Sequence, residues 1–130
     1  KRFGVCVVLA AHSMPSLGRS GHGDSNVPRA DVVPGTQGRT TAAPPLIDAV
    51  EAHAREAGLS VRHDEPYRGG WTTRHWGRPA QGIHAVQVEV ARRLYMDEAA
   101  LVRGEAFEAM KKFARELVRK LGSAGLAMTQ

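Results

Sequence analysis

The strongest constraint on this chain is the uninterrupted apolar run near its start, Phe3 to Ala11, FGVCVVLAA. A valine-rich run without a charge suits a strand buried on both faces, the usual state of strands in a parallel sheet. A second run, Ile83 to Val90, predicts another strand. Its alternation places His84, Val86, Val88 and Val90 on one face and Ala85, Gln87 and Glu89 on the other. Leu59 to His63 predicts a further short strand. Ahead of it, Pro44 and Pro45 suit a helix start, with Thr41 as a candidate cap. Leu46, Ile47, Val50, Ala54 and Ala57 then mark one helical face, and Gly58 supplies the stop. Strand, helix, strand predicts a right-handed parallel crossover. The class is therefore α/β, a mostly parallel or mixed sheet flanked by helices.

The remaining stretches are less regular. Ser16 to Ala43 is rich in Gly, Ser, Thr, Pro and Arg, has no period beyond Val32-Val33, and is expected to be a functional loop. Pro66 to Gly82 is also loop-like and polar. A last helix is predicted from about Glu105 to Leu121, burying Phe107, Met110, Ala114, Leu117, Val118 and Leu121. It would carry Glu108–Lys112 and Glu116–Lys120 surface pairs and end at Gly122.

With 130 residues the chain makes one domain, residues 1–130. No stretch is long and apolar enough for a membrane helix. The single cysteine, Cys6, excludes an internal disulfide framework and fits a reducing compartment, the cytoplasm being the expectation. Within an apolar strand, Cys6 is expected to be a small core residue and not a nucleophile. A formal charge of +5 raises the question of nucleic acid. The basic residues are scattered, however, and no basic motif interleaved with aromatics is present. Solvated surface with a few anion contacts is the better expectation. The chain opens directly on a strand without Met, as expected of part of something longer.

Chemistry-bearing residues cluster around Glu65 to Glu98, which holds both Trp and both Tyr. Glu89 is a carboxylate inside a core strand, which is costly without a partner or a task. His12 follows the first strand, where ligands bind in open α/β sheets. If the two strands are parallel, His12 and Glu89 emerge at a common edge. There His12 can serve as metal ligand or base, and Glu89 as general base on a water. The structural alternatives are a hydrogen-bonded His12 and a Glu89 paired with Arg78 or Arg92. Arg68, Arg74 and Arg78 sit among Gly69, Gly70 and Gly77. Glycines let a backbone bend close to a ligand, and arginine forks bind carboxylates, which suits an acidic substrate; the alternative is a glycine-bent surface loop with solvated arginines, a common arrangement. Tyr67, Trp71 and Trp76 either wall a pocket or pack over the sheet. His22, His53, His63 and His75 show no metal-binding spacing, and His53 is expected on the solvent side of its helix.

Four blocks in order, HSMPS at His12 to Ser16, ADVVPGTQG at Ala30 to Gly38, PYRGGWTTRHWGRP at Pro66 to Pro79 and GIHAVQVEVARRLYMDE at Gly82 to Glu98, resemble the N-formylglutamate amidohydrolase family. The resemblance implies a zinc-carboxypeptidase-like (phosphorylase/hydrolase-like) α/β sandwich, here partial. It implies hydrolysis of N-formyl-L-glutamate, or a related N-acyl amino acid, to formate and L-glutamate, a late step in histidine breakdown. By the same resemblance His12 would bind zinc, Glu89 would be the general base, and Arg68, Gly69, Gly70, Arg74 and Arg78 would fall in the substrate loop. Two departures stand out. Ala10 occupies a position where the family usually has an aspartate, and the chain corresponds to the carboxy-terminal half of a family member. One histidine cannot hold a catalytic zinc, which takes about three protein ligands. The remaining ligands are therefore expected outside this chain. The alternative is a non-catalytic truncated relative, or a fragment that needs a partner half and is prone to self-association through its open sheet edge.

Overall fold

The structure, a computed structural model, describes residues 3–21 and 23–129. Its centre is strand β3. The elements in order are β1 (Cys6–Met14), β2 (Val32–Gly35), helix α1 (Pro44–Glu56), short helix α2 (Trp71–Trp76), β3 (Ile83–Ala91), a small hairpin of β4 (Met96–Asp97) and β5 (Val102–Arg103), and helix α3 (Phe107–Ala127). The main sheet has the order β1-β3-β2. β1 runs parallel to β3, with His12 directly opposite Glu89. β2 runs antiparallel to β3, with Gly35 opposite Gln87. The sheet is mixed, and the α/β class holds.

The period of two along β3 divides its labour. Val86 and Val88 face a core built with Val32, the α1 residues Leu46, Ile47, Val50 and Ala54, and the α3 residues Phe113, Leu117 and Leu121. Each such aliphatic side chain taken fully from water contributes roughly 1.5–3 kcal/mol before entropy is counted. The opposite face carries Ala85, Gln87 and Glu89, all buried, and α2 packs on that side through Thr73 and the turn before it.

Several sequence expectations are corrected. β1 lies at the edge of the described sheet, so it is only half-buried and Cys6 is exposed rather than in the core. The long loop from Ser16 to Ala43 contains β2. Pro34 is tolerated there because an edge strand need not donate from every residue. Leu59 to His63 does not form a strand and contributes a single parallel bridge, Val61 to Val32. Pro66 to Gly82 is no continuous loop, since α2 occupies its middle and a 3-10 turn spans Pro79–Gln81.

The helix ends also differ. Thr41 does not cap α1. Its hydroxyl donates to the Ala85 carbonyl, and the buried ring of His84 accepts the Ala43 N–H through Nδ1. Gly58, at φ +74°, does close α1 as expected. His53 is buried, not on the solvent side. Its ring stacks on Phe113 and its Nε2 bonds the Phe113 carbonyl, which joins α1 to α3. Ala57 is exposed.

α3 runs through Gly122 to Ala127. It continues because the buried Gly125 lets the helix lie close on β1, where a Cβ would sit 3.1 Å from Val7 Cγ2. The buried stripe is Phe113, Leu117, Leu121 and Gly125. Ala114 and Val118 are exposed, and Phe107 and Met110 are half-buried. The ion pairs shift accordingly to Glu108–Lys111 and Lys112–Glu116, while Lys120 reaches across to Glu56.

Candidate active site

Register alone brings the two expected residues together. β1 and β3 are parallel, His12 and Glu89 are the seventh residues of their strands, and the imidazole Nδ1 lies 3.2 Å from Glu89 Oε1. The pair is asymmetric. Glu89 is 6% exposed, whereas the His12 side chain is 51% exposed. An ionised carboxylate only accepts hydrogen bonds, so the contact to Glu89 requires the proton on Nδ1. Glu89 does not pair with Arg78 or Arg92. The Arg92 Nε reaches the Ser13 hydroxyl instead, at 3.5 Å.

A second partner reaches Glu89 from its own strand. Two residues away on the same face, Gln87 donates through Nε2 to Glu89 Oε1 at 3.1 Å. Its Oε1 in turn accepts the backbone N–H of Gly70 at 3.0 Å. Gly70 is the residue from which α2 departs, and its carbonyl accepts the Thr73 hydroxyl at 2.9 Å. The bend that delivers Gly70 depends on glycine. Gly69 has φ +94°, and a Cβ on it would fall 2.5 Å from Thr73 Oγ1. A Cβ on Gly35 would fall 2.5 Å from the Gly69 nitrogen, so β2 and the bend touch backbone to backbone.

The arginines divide. Arg68 and Arg74 flank the Gly69-Gly70 bend, with Arg74 donating its N–H to the Gly70 carbonyl in the first turn of α2. Arg78 is bridged to Ile83 at the other end of β3. Six residues of extended strand separate it from Glu89, about 20 Å along the backbone. All three are exposed, and none makes a side-chain hydrogen bond or ion pair among the described residues. Of the aromatics, Tyr67 packs inward and its hydroxyl accepts from Arg29. Trp71 and Trp76 stay largely exposed, Trp71 stacked on His75.

A second histidine–carboxylate cluster, not expected from the sequence, braces the neighbouring turn. His63 bonds Glu51 Oε1 through Nδ1 and the Thr36 hydroxyl through Nε2, both at 2.7 Å. Asp64 accepts the N–H groups of Thr36 and Gly38. Glu51 also receives Arg39 and Arg55. Burial pushes the Glu51 carboxyl up, but the hydrogen bonds from His63 and Arg55, with their charges, outweigh it and hold Glu51 below the usual carboxylate range. The cluster fixes the turn around Gln37, whose side chain bonds the Gly69 carbonyl. Spacing gave no sign of it, because its members come from three separate stretches. Gln87 was visible as a face-mate of Glu89, though its role was not.

His12 and Glu89 are both metal-ligand types, yet a zinc site takes about three protein donors. Among the described residues no group of three or more His, Cys, Asp or Glu is placed to hold a metal ion. His22 lies outside the described residues. The donors among the described residues do not by themselves complete a zinc site.

These features define an α/β domain that presents a histidine–carboxylate pair at the carboxyl ends of two adjacent parallel strands. Comparison with known proteins takes this further. The model of the N-formylglutamate amidohydrolase family matches residues 1–96. An N-formylglutamate deformylase of Pseudomonas aeruginosa is 37% identical over 126 residues, which take in 92% of this chain and 45% of that protein. One of Pseudomonas putida is 36% identical over 103 residues, covering 75% of this chain and 36% of the relative. The crystal structure of N-formylglutamate amidohydrolase from Ralstonia eutropha superposes with a TM-score of 0.73 at 34% identity, over 98% of this chain and 43% of that one. The chain belongs to the N-formylglutamate amidohydrolase family. It spans less than half the length of these relatives.

Proposed function

We propose that this chain supplies the general base and one metal ligand of an enzyme that hydrolyses N-formyl-L-glutamate, or a related N-acyl amino acid, to formate and L-glutamate. The observation that carries the proposal is the His12–Glu89 pair, buried on the carboxylate side and open on the imidazole side. Glu89 takes a proton from the water that attacks the formyl carbonyl, and returns it to the glutamate nitrogen as the C–N bond breaks. One water is consumed, and formate and the free amine leave. Arg68 and Arg74, at the Gly69-Gly70 bend, bind the substrate carboxylates by bidentate hydrogen bonds. Arg78 serves the same end only if the substrate, or residues from beyond this chain, bridge the length of β3.

Zinc is the proposed metal, with His12 as the ligand this chain contributes. Its other donors come from beyond the chain, in keeping with the share of the relatives that the chain spans. The substrate is a small molecule, and nucleic acid has no place in the proposal. Many of the positive charges are already committed to carboxylates, as at Arg29, Arg39, Arg55, Arg62, Arg93 and Lys120. No helix among the described residues is long and apolar enough to cross a membrane. The proposed setting is histidine breakdown in the cytoplasm.

The donor count supports a second reading, in which the 130 residues alone do not turn over and act only with a partner half. Both are tested together by assaying release of formate from N-formyl-L-glutamate with added zinc. The chain is assayed by itself and mixed with the remaining portion of a full-length relative. Activity in either arm supports the proposed chemistry, and the arm in which it arises decides between the two readings. Inactivity in both arms, with the chain folded, overturns the proposal.

A further inference from the structure

Resting on the proposed role of Glu89, the geometry points to Gln87 as the residue that positions that carboxylate and couples it to the Gly69-Gly70 bend. The orientation of its carboxamide follows from its neighbours. The Gly70 N–H can only donate, so Gln87 must offer it Oε1. Nε2 is then turned to Glu89, which as a carboxylate can only accept. A flipped carboxamide would set N–H against N–H at one end and oxygen against oxygen at the other. Gln87 is 4% exposed, so water does not replace a lost bond. Glu89 Oε1 receives both Gln87 and His12. No hydrogen bond to Oε2 is formed among the described residues, and Oε2 is thereby the oxygen left to take a proton. Gln87 and His12 together thus leave Oε2 as the working oxygen of the base, and Gln87 alone ties that carboxylate to the backbone that carries Arg68 and Arg74.

The test reads the coupling directly by amide hydrogen exchange in the 15N-labelled chain, independently of turnover. Gln87→Met keeps the length of the side chain and removes both bonds, and it should speed exchange of the Gly70 amide at least about tenfold. Gln87→Glu keeps an acceptor for Gly70 and should leave that amide protected. Glu89→Met, which does not touch Gly70, should still raise Gly70 exchange several-fold by freeing the Gln87 carboxamide, and should have no further effect when added to Gln87→Met. Equal Gly70 protection in the unsubstituted chain and in Gln87→Met, or a Gly70 amide indifferent to Glu89→Met, overturns the inference. Should a variant not fold, the unsubstituted chain decides: Gln87 side-chain amide protons exchanging at the rate of free glutamine overturn it. In the active enzyme, Gln87→Met should lower kcat about tenfold with KM within about twofold. A lack of turnover in the unsubstituted enzyme counts against the proposed function alone, since the Gly70 measurements stand without it.

Discussion

Two histidine–carboxylate pairs in this molecule look alike on paper and differ in what remains free. At His63–Glu51 both partners are mostly buried, 19% and 14% exposed, and every ring nitrogen and carboxylate oxygen has a partner from Thr36, Arg39, Arg55 or the pair itself. That pair is saturated and acts as a brace. At His12–Glu89 one carboxylate oxygen and one ring nitrogen have no hydrogen-bond partner among the described residues, and the imidazole faces solvent. Saturated polar networks hold a fold in one arrangement, whereas spare lone pairs beside a buried carboxylate are what proton transfer uses. What distinguishes a site from a support here is the unspent bonding capacity, not the residue types.

The comparison breaks most sharply at Glu89. Glu89→Gln keeps the shape and removes the proton acceptor. In the active enzyme it should lower kcat by about 10²-fold or more while the denaturation midpoint moves little. Equal deformylation in the two proteins would remove Glu89 from the mechanism. The reverse pattern is expected at the brace. Glu51→Ala leaves His63 Nδ1, Arg39 and Arg55 without their acceptor, and should cost about 2 kcal/mol in urea denaturation. Its effect on turnover should be the smaller one. A Glu51 variant as stable as the parent would show that the saturated pair is ornamental.

Acid should sharpen the contrast through stability. Glu51 sits below its ordinary range when folded, so its contribution is full above the unfolded carboxylate value of about 4.5 and is lost as pH falls through the folded value. His84 adds a component at milder pH. Burial holds its ring below the usual histidine value, and the neutral ring accepts the Ala43 N–H. The unfolded chain therefore binds the proton first. Stability should fall as pH drops below about 6.5, until the folded His84 itself titrates. Chemical denaturation across pH 4–8 should show this limb in the parent, and His84→Gln should flatten it. The smallest expected effect is at the exposed arginines. Single Arg68→Ala, Arg74→Ala and Arg78→Ala changes should leave stability within about 0.5 kcal/mol. KM should rise for Arg68 and Arg74 more than for Arg78, whose backbone lies at the far end of β3.

Much of this was legible in the chain. The period of two in Ile83 to Val90 placed Gln87 and Glu89 on one face, and the apolar run ending at His12 placed the imidazole after a strand. Parallel pairing then put them at one rim, and the register of His12 against Glu89 bears that out. The errors came where a local signal competed with packing. Val32 to Gly35 contains a proline and is too short for periodicity, yet it pairs with β3 because that edge is open. Gly122 is a stop signal by propensity, but α3 continues because Leu121 and Gly125 still bury against the sheet and α1. His53 stands at i+7 from Leu46 and i+3 from Val50, along the edge of the apolar stripe of α1, and α3 lies over that side and offers the Phe113 carbonyl.

By itself, then, the sequence determined the class of fold, the strand that bears Glu89 and the face on which it lies. These follow from side-chain alternation and apolar run length, which are properties of neighbouring residues. Only the tertiary structure decided which histidine meets which carboxylate, which of those contacts are saturated, and that Gln87 spans from Glu89 to Gly70. Those depend on strand register and on backbone bends at Gly35 and Gly69 that bring distant stretches within hydrogen-bond reach, and no local pattern encodes a meeting between residues 77 positions apart.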